Sequence, residues 1–332
     1  MTVIALMGAR TYDQHFDEAR LARLRHLSPV TDPLRVDDLD QLDRDQLDEV
    51  EVVLTGWGAP RLDRRILDML PRLSSVIHCA GSVKSVVTPH LWQRNIQVCS
   101  AAEANAIPVA EYTFAAIIMA GKKAPFLAAD ARRHRQDWTY RSRRGPLSNL
   151  GLTVGLVGFS QIGRKVVARL QQLDDVTCLI SDPYADADQV QAAGARLINL
   201  REMLGQVDVL SIHAPELPST RHLIAAPELA KLRDHTTVIN TARGSLIDTA
   251  ALEAECAPGR LNAILDVTDP EPLNADSVLY DLPNVMITPH IAGSLDSEVK
   301  RMTDTALDEL EQLMRGHPLR HRILEAELDR IA

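Results

Sequence analysis

Short apolar runs recur along the chain, separated by stretches with helical spacing of apolar positions. In the first hundred residues Val3–Leu6, Val50–Leu54, Val76–Cys79 and Ile96–Cys99 read as strands, and Leu62–Leu70 as a helix ended by Pro71. Strands alternating with helices predict an α/β domain with a mainly parallel sheet. Residues 101–122 change character: A-A-E-A-N-A-I-P-V-A-E-Y-T-F-A-A-I-I-M-A-G-K. After Pro108 this predicts a long helix, apolar on most faces and packed between domains. A second α/β series follows, with strands expected at Val154–Val157, Thr177–Ser181, Val207–Ile212, Thr237–Asn240, Ala263–Val267 and Val285–Thr288. Helical connections between them suggest a doubly wound sheet. The tail from Ser294 to Leu324 reads as a helix with charged faces that crosses back to the first domain.

Residues 153–163 read T-V-G-L-V-G-F-S-Q-I-G and lead into a helical run, Arg164–Leu173. This is a dinucleotide-binding fingerprint, G-x-G-x-x-G, with Ser160 at its second glycine. The first glycine, Gly158, permits a tight turn, and the third, Gly163, lets helix pack closely on strand. The second normally lets the backbone approach a pyrophosphate at the helix N-terminus. The strand Thr177–Ser181 ends at Asp182, nineteen residues beyond Gly163. That is the expected place for an acid that accepts bonds from the adenosine ribose hydroxyls. It would repel a 2′-phosphate, favouring NAD over NADP; a turn or cap role before Pro183 is the alternative.

The chain has 332 residues, 45% of them hydrophobic, which is room for about two domains with a sizeable core. Its net charge of −9 argues against nucleic acid or an anionic membrane as main partner. No apolar run approaches the roughly 18 residues of a membrane span, and the N-terminus lacks a signal-peptide layout. Cys79, Cys99, Cys178 and Cys256 show no metal-ligand spacing, so no metal is expected. Buried thiols suit a reducing, cytoplasmic setting. Arg132, Arg133, Arg135, Arg141, Arg143 and Arg144 surround Trp138 and Tyr140. That run is a solvated face, a dimer arm or a contact for an anionic substrate.

Three later segments end predicted strands with chemistry-bearing residues. V-I-N-T-A-R-G-S-L-I-D at 238–248 offers Arg243, A-I-L-D-V-T-D-P-E-P-L at 263–273 offers Asp266 and Glu271, and I-T-P-H-I-A-G-S at 287–294 offers His290. Ligands of open parallel sheets bind at the carboxyl ends of strands. A guanidinium can clamp a carboxylate with two parallel bonds. An imidazole titrates near neutral pH and can exchange a proton with a hydroxyl. A neighbouring carboxylate would hold its tautomer and stabilise imidazolium. Lone polar residues at strand ends also serve as caps.

With these segments the chain resembles the NAD-dependent D-isomer-specific 2-hydroxyacid dehydrogenases. The resemblance covers roughly residues 45–310. It rests on the fingerprint region, S-D-P-Y at 181–184, D-V-L-S-I-H-A-P at 208–215, N-T-A-R-G at 240–244, D-V-T-D-P-E-P at 266–272 and T-P-H-I-A-G-S at 288–294, all in order. It implies two Rossmann-like α/β domains with parallel sheets, the cofactor domain inserted into a flavodoxin-like substrate domain. Residues 1–101 with 295–332 would form the substrate domain and 102–294 the NAD-binding domain, with the active site in the cleft between them. His290 would be the acid/base, Glu271 its partner, and Arg243 the group that binds the substrate carboxylate. The implied NAD contacts are Gly158, Ser160, Gln161, Ile162, Gly163, Asp182, His213, Thr241, Ala242, Arg243, Asp266, His290 and Gly293, with Asp266 on the nicotinamide side. The turn Gly81-Ser82-Val83 matches the loop whose backbone N–H groups hold the substrate carboxylate. Asn105 and Glu111 match the helix that opens the cofactor domain, as caps or functional groups.

The implied reaction interconverts a small-molecule 2-oxo acid and a D-2-hydroxy acid, and a homodimer is implied through the 109–120 helix and the arm near Trp138. In the resembled family, formate dehydrogenases pair the histidine with Gln, so Glu271 favours hydroxy-acid chemistry. Two departures stand out. Ser160 could crowd a pyrophosphate or donate a bond to it. The segment A-G-S-V-K-S-V-V-T at 80–88 has Val83 and Ser85 where the family shows Gly and Asp. Lys84 is either a charge near the substrate or surface, and Trp57 lines the pocket or the core. The competing function is a dehydrogenase-like NAD(H)-sensing regulatory protein with little turnover.

Overall fold

The computed structural model describes residues 1–328, 330 and 331. The chain divides into two compact units, Met1–Ala106 with Ser294–Ala332, and Ile107–Gly293.

The first unit holds parallel strands β1 (Thr2–Leu6), β2 (Val30–Val36), β3 (Val50–Thr55), β4 (Ser75–His78) and β5 (Gln97–Ser100). Their spatial order is β2-β1-β3-β4-β5, the flavodoxin-like arrangement, and Arg322–Ile323 adds an antiparallel edge beyond β5. Alternate strand residues feed two cores. Ile4, Leu6, Val53 and Val76 pack with Leu62, Leu67 and Leu91 on one face. Val3, Ala5, Val52 and Leu54 pack with Leu24, Leu307 and Leu310 on the other. Covering both faces is why these strands read as continuous apolar runs. Strand β2 escaped the sequence pattern because V-T-D-P-L-R-V lacks clean alternation and contains Pro33. It is an edge strand pairing only with β1, where a missing N–H is tolerated.

Two expected helices are shorter in the structure. The predicted Leu62–Leu70 helix runs Arg64–Met69, because Asp63 caps the Ile66 N–H and the Leu62 N–H is tied to the Val86 carbonyl. The tail helix is Val299–Met314, followed by Gly316 at φ +71° and the antiparallel edge strand. It belongs to the first unit, where Arg20 and Arg23 of the helix Glu18–Leu27 reach Asp304 and Asp308 at 2.5 and 2.6 Å.

The second unit holds seven parallel strands: β6 (Thr153–Val157), β7 (Thr177–Ser181), β8 (Arg196–Leu197), β9 (Val209–Ile212), β10 (Thr237–Asn240), β11 (Asn262–Leu265) and β12 (Val285–Ile287). The order is β8-β7-β6-β9-β10-β11-β12, so the winding reverses between β6 and β9. That switch point is where a doubly wound sheet opens its ligand crevice. Val207, expected in a strand, precedes β9, and the two-residue β8 is too short to leave a sequence pattern.

The apolar helix spans Ala102–Gly121 and contains Pro108 rather than following it. The division between the units falls inside this helix, before Pro108. By length and composition alone it is long and apolar enough to cross a membrane, and about 56% of its most apolar stretch is buried inside the protein, as in a core helix. Ala110, Ile117 and Ala120 lie in the same core as Leu152, Val154 and Val166. The four cysteines are buried and unpaired, and burial pushes the Cys79 and Cys256 thiols up to about 12.

Three histidines are buried, and burial lowers His15 and His78 to about 4 and His213 to about 3. Unfolded, each would titrate near 6.5. Between pH 6.5 and 4 the unfolded chain therefore binds more protons than the folded one. Stability is fully present above pH 6.5 and falls as pH drops towards 4, by up to about 3 kcal/mol per histidine. Urea denaturation at pH 7.5 and 4.5 measures this, and equal midpoints would contradict it.

Candidate active site

The fingerprint turn follows β6 directly. Gly158 has φ +104°, and a Cβ there would sit 2.8 Å from the His213 carbonyl carbon and 2.9 Å from the Ala214 nitrogen. Gly163 lies so close to the Gly158 carbonyl that a Cβ would overlap it. Both glycines are thus required by backbone packing. Ser160 differs: its φ of −85° suits any residue, and its side chain is exposed and makes no capping bond on the helix Gln161–Leu170. A Cβ at this position is therefore accommodated without strain. Gln161 is exposed and Ile162 half-buried beside it.

Asp182, at the end of β7, closes on this turn. One carboxylate oxygen accepts the Phe159 N–H at 2.8 Å, the other the Tyr184 N–H at 2.8 Å. Each oxygen retains a lone pair for a ribose hydroxyl. His213, at the end of β9, pairs Nε2 with the Ser211 hydroxyl at 2.9 Å, and its buried Nδ1 has no partner. A cradle that a Cβ would fill, an uncapped helix N-terminus, an acid with spare lone pairs and an orphaned imidazole nitrogen all fit a dinucleotide.

The ends of β10, β11 and β12 carry the remaining groups. Asn240 shapes the first: its amide donates to the Arg243 carbonyl at 2.8 Å and accepts the Ala242 N–H at 3.1 Å. Thr241 and Ala242 are buried, and the Thr241 hydroxyl pairs with that of Thr113 at 2.9 Å. Arg243 is half-buried and donates one N–H to the Ala242 carbonyl at 2.6 Å, leaving most of its fork unused. Gly244 sits where a Cβ would overlap the Thr268 carbonyl, which brings this loop against the one after β11.

His290 and Glu271 meet: Nδ1 lies 2.6 Å from Oε1, with both side chains about half exposed. Nε2 is thus the ring nitrogen left for proton transfer. His290 has φ +54°, and its N–H donates to the Asp266 carbonyl at 2.9 Å. Asp266 is 2% exposed. Its Oδ1 accepts from the Thr288 hydroxyl at 2.6 Å and the Ile291 N–H at 2.8 Å, and Oδ2 accepts the Ala292 N–H at 2.8 Å. The Tyr112 hydroxyl donates to Thr288 at 2.7 Å, extending the chain inward. The resemblance implies a nicotinamide-side place for Asp266, and its carboxylate is bonded into the 288–292 loop. Tyr112 and Thr288 went unnoticed because no spacing rule links a helix residue to a strand end across the core. Gly293 is half-buried at the end of this loop.

In the first unit, Val83 is 1% exposed and packs with Val86 and Val87 in the core. The departure from glycine is therefore a core anchor. Gly81 faces Asn105, whose Nδ2 would lie 3.2 Å from a Cβ, and the Asn105 side-chain Oδ1 accepts the Ser294 N–H at 3.0 Å. Ser82 and Lys84 are half-buried. Trp57 is 38% exposed, between Gly56 and Gly58, with its ring centroid 5.7 Å from that of His15 and the two rings tilted. Glu111, in the second unit, pairs with Arg169 at 3.0 Å.

Fold and turn together define a dinucleotide-binding α/β unit accompanied by a flavodoxin-like unit. Residues 114–292, more than half of the chain, match the family model for the D-isomer specific 2-hydroxyacid dehydrogenase, NAD binding domain. The chain is 31% identical over 304 residues to the (S)-sulfolactate dehydrogenase of Chromohalobacter salexigens, covering 91% of this chain and 96% of that one. It is 31% identical over 286 residues to the D-3-phosphoglycerate dehydrogenase of Mycobacterium tuberculosis, covering 84% and 53% respectively. The chain spans about half the length of the curated phosphoglycerate dehydrogenases it matches. A phosphoglycerate oxidoreductase from Rhizobium etli shares the fold, with a TM-score of 0.81 at 23% identity over 98% of each chain. The chain belongs to the D-isomer-specific 2-hydroxyacid dehydrogenase family, and its second unit is the NAD-binding domain.

Proposed function

We propose that the chain catalyses 2-oxo acid + NADH + H⁺ ⇌ D-2-hydroxy acid + NAD⁺. The observation that carries this reading is the 2.6 Å bond between His290 Nδ1 and Glu271 Oε1, which leaves Nε2 available at a half-exposed strand end. The cofactor, when bound, supplies or takes up the hydride. Gly158, Ser160, Gln161, Ile162 and Gly163 would hold its pyrophosphate, Asp182 its ribose, and His213, Thr241 and Ala242 its flank. His290 Nε2 gives the proton to the carbonyl oxygen on reduction and takes it back on oxidation. Glu271 fixes the tautomer and stabilises the imidazolium. Arg243 clamps the substrate carboxylate and polarises the carbonyl. The preserved His290–Glu271 pairing speaks against the sensing alternative, which has no need of a proton donor.

The relatives' names make three-carbon acids with an acidic third position the first to test. Turnover should be measured on glyoxylate, pyruvate, hydroxypyruvate and their phosphorylated or sulfonated counterparts, with NADH and with NADPH. NADH-dependent reduction of at least one, with NADPH much poorer because of Asp182, is expected. NADH binding without turnover on any of them would overturn the enzyme reading. Exposed Met119, Trp138 and Leu150 support a homodimer through the 109–120 helix and the following arm; a monomer mass by light scattering would refute it.

A further inference from the structure

Two consecutive residues of the helix Ala102–Gly121 carry hydroxyls to which the reaction gives no part. Tyr112 Oη lies 2.7 Å from Thr288 Oγ1, and Thr113 Oγ1 lies 2.9 Å from Thr241 Oγ1. The two threonines at the far ends hold equivalent places. Thr241 is the first residue after β10, and Thr288 the first after β12. Each stands two residues before a group given a role on the substrate, Arg243 in one loop and His290 in the other. Asp266, the first residue after β11, comes between them in the sheet order. Adjacent helix positions point about 100° apart, so one helical turn can serve two loops at once.

The direction of the Tyr112 bond follows from counting hydrogens. The Thr288 hydroxyl has one, and gives it to Asp266 Oδ1 at 2.6 Å. Tyr112 is therefore the donor to Thr288. Burial raises its phenol above the ordinary value, which keeps that hydrogen in place. The chain of bonds ends on the Ile291 and Ala292 N–H groups, immediately after His290. The second tie is deeper: Thr113 is fully buried and Thr241 is 6% exposed. The helix behind both ties is fixed by packing. Ala110, Ile117 and Ala120 lie in the core with Val154 and Val166, and the Tyr112 side chain packs against that core. The hydroxyls thus join a rigid support to two loops that must hold a guanidinium and an imidazole in register.

We propose that Tyr112 and Thr113 are positioning residues, Tyr112 for the loop that carries His290 and Thr113 for the loop that carries Arg243. The proposal deepens the dehydrogenase reading and rests on it for the roles of His290 and Arg243. Each hydroxyl acts through a threonine, so the effects should divide with the loops. Losing the Tyr112 tie misplaces the proton donor and lowers kcat. Losing the Thr113 tie loosens the carboxylate clamp and raises KM.

Tyr112→Phe and Thr113→Val each remove one hydroxyl and keep the shape of the side chain, whereas Thr113→Ser keeps the hydroxyl. With the 2-oxo acid that wild type reduces best, Tyr112→Phe should lower kcat about tenfold with KM within about twofold. Thr113→Val should raise KM about tenfold with kcat within about threefold, and Thr113→Ser should stay near wild type. Amide hydrogen exchange should accelerate about tenfold across residues 288–292 in Tyr112→Phe alone, and across 241–246 in Thr113→Val alone. The same kinetic and exchange changes in both variants would reduce the two residues to helix packing and overturn the proposal, as would wild-type behaviour in both. If wild-type protein reduces no 2-oxo acid, the dehydrogenase reading fails, and the exchange pattern still decides whether each hydroxyl holds its own loop.

Discussion

His290→Ala is expected to lower kcat/KM for the best 2-oxo acid by about 10²–10⁴ while leaving the NADH Kd within a few-fold. The reasoning is geometric. Nδ1 is committed to Glu271 at 2.6 Å, so Nε2 alone can exchange a proton with the substrate oxygen. Without it, water must protonate the developing alkoxide. Glu271→Gln refines the test. The amide oxygen can still accept from Nδ1–H, so the tautomer and ring orientation survive, but the charge that stabilises imidazolium is gone. Its loss should be smaller than that of His290→Ala, and the double variant should be no worse than the single one, because the two residues act as a unit. Full activity in His290→Ala would remove the histidine from the mechanism. A parallel loss of NADH binding would show that the substitution had disturbed the loop instead.

The parts of this site written in local sequence were readable before any fold was known. Gly158 and Gly163 are glycines because backbone atoms lie where a Cβ would go, Asp182 directly follows β7, and Arg243 and His290 come three residues after β10 and β12. Ser160 looked like a defect in the fingerprint, but its extended φ of −85° and exposed side chain place no demand for glycine. What stayed hidden depends on contacts between distant segments. Strand β2 carries a proline and charges that only an edge position tolerates. Pro108 suggested a helix start, yet the helix continues through it, with apolar burial outweighing the lost hydrogen bond. Val83 departs from a family glycine because it faces the core. Each of these is a tertiary override of a local rule.

Asp266 gives the second large effect, and it separates architecture from chemistry. Asp266→Ala should destabilise the protein by about 3–5 kcal/mol and lower kcat as well. Three donors converge on its carboxylate: the Thr288 hydroxyl and the Ile291 and Ala292 N–H groups. Removing the side chain leaves them inside a site that is 2% exposed, each costing about 1–3 kcal/mol if unmet. The Asp266 carbonyl, which accepts the His290 N–H, survives the substitution, so the loop keeps one tie and loses three. His290 sits at φ +54°, a conformation that costs about 1–2 kcal/mol for a residue with a Cβ and persists only while the surroundings enforce it. Freed of those ties, the backbone should relax and carry the ring away from Glu271. Asp266→Asn keeps the volume but turns one acceptor into an N–H donor facing other donors, so it should fall between wild type and Ala in both readouts. Urea denaturation and steady-state kinetics on the same preparations provide the comparison. If kcat falls while stability is unchanged, Asp266 acts on the cofactor or substrate directly, and its place in the loop is incidental. If both fall together, in the order Asn then Ala, the carboxylate works by holding His290 where it can deliver a proton.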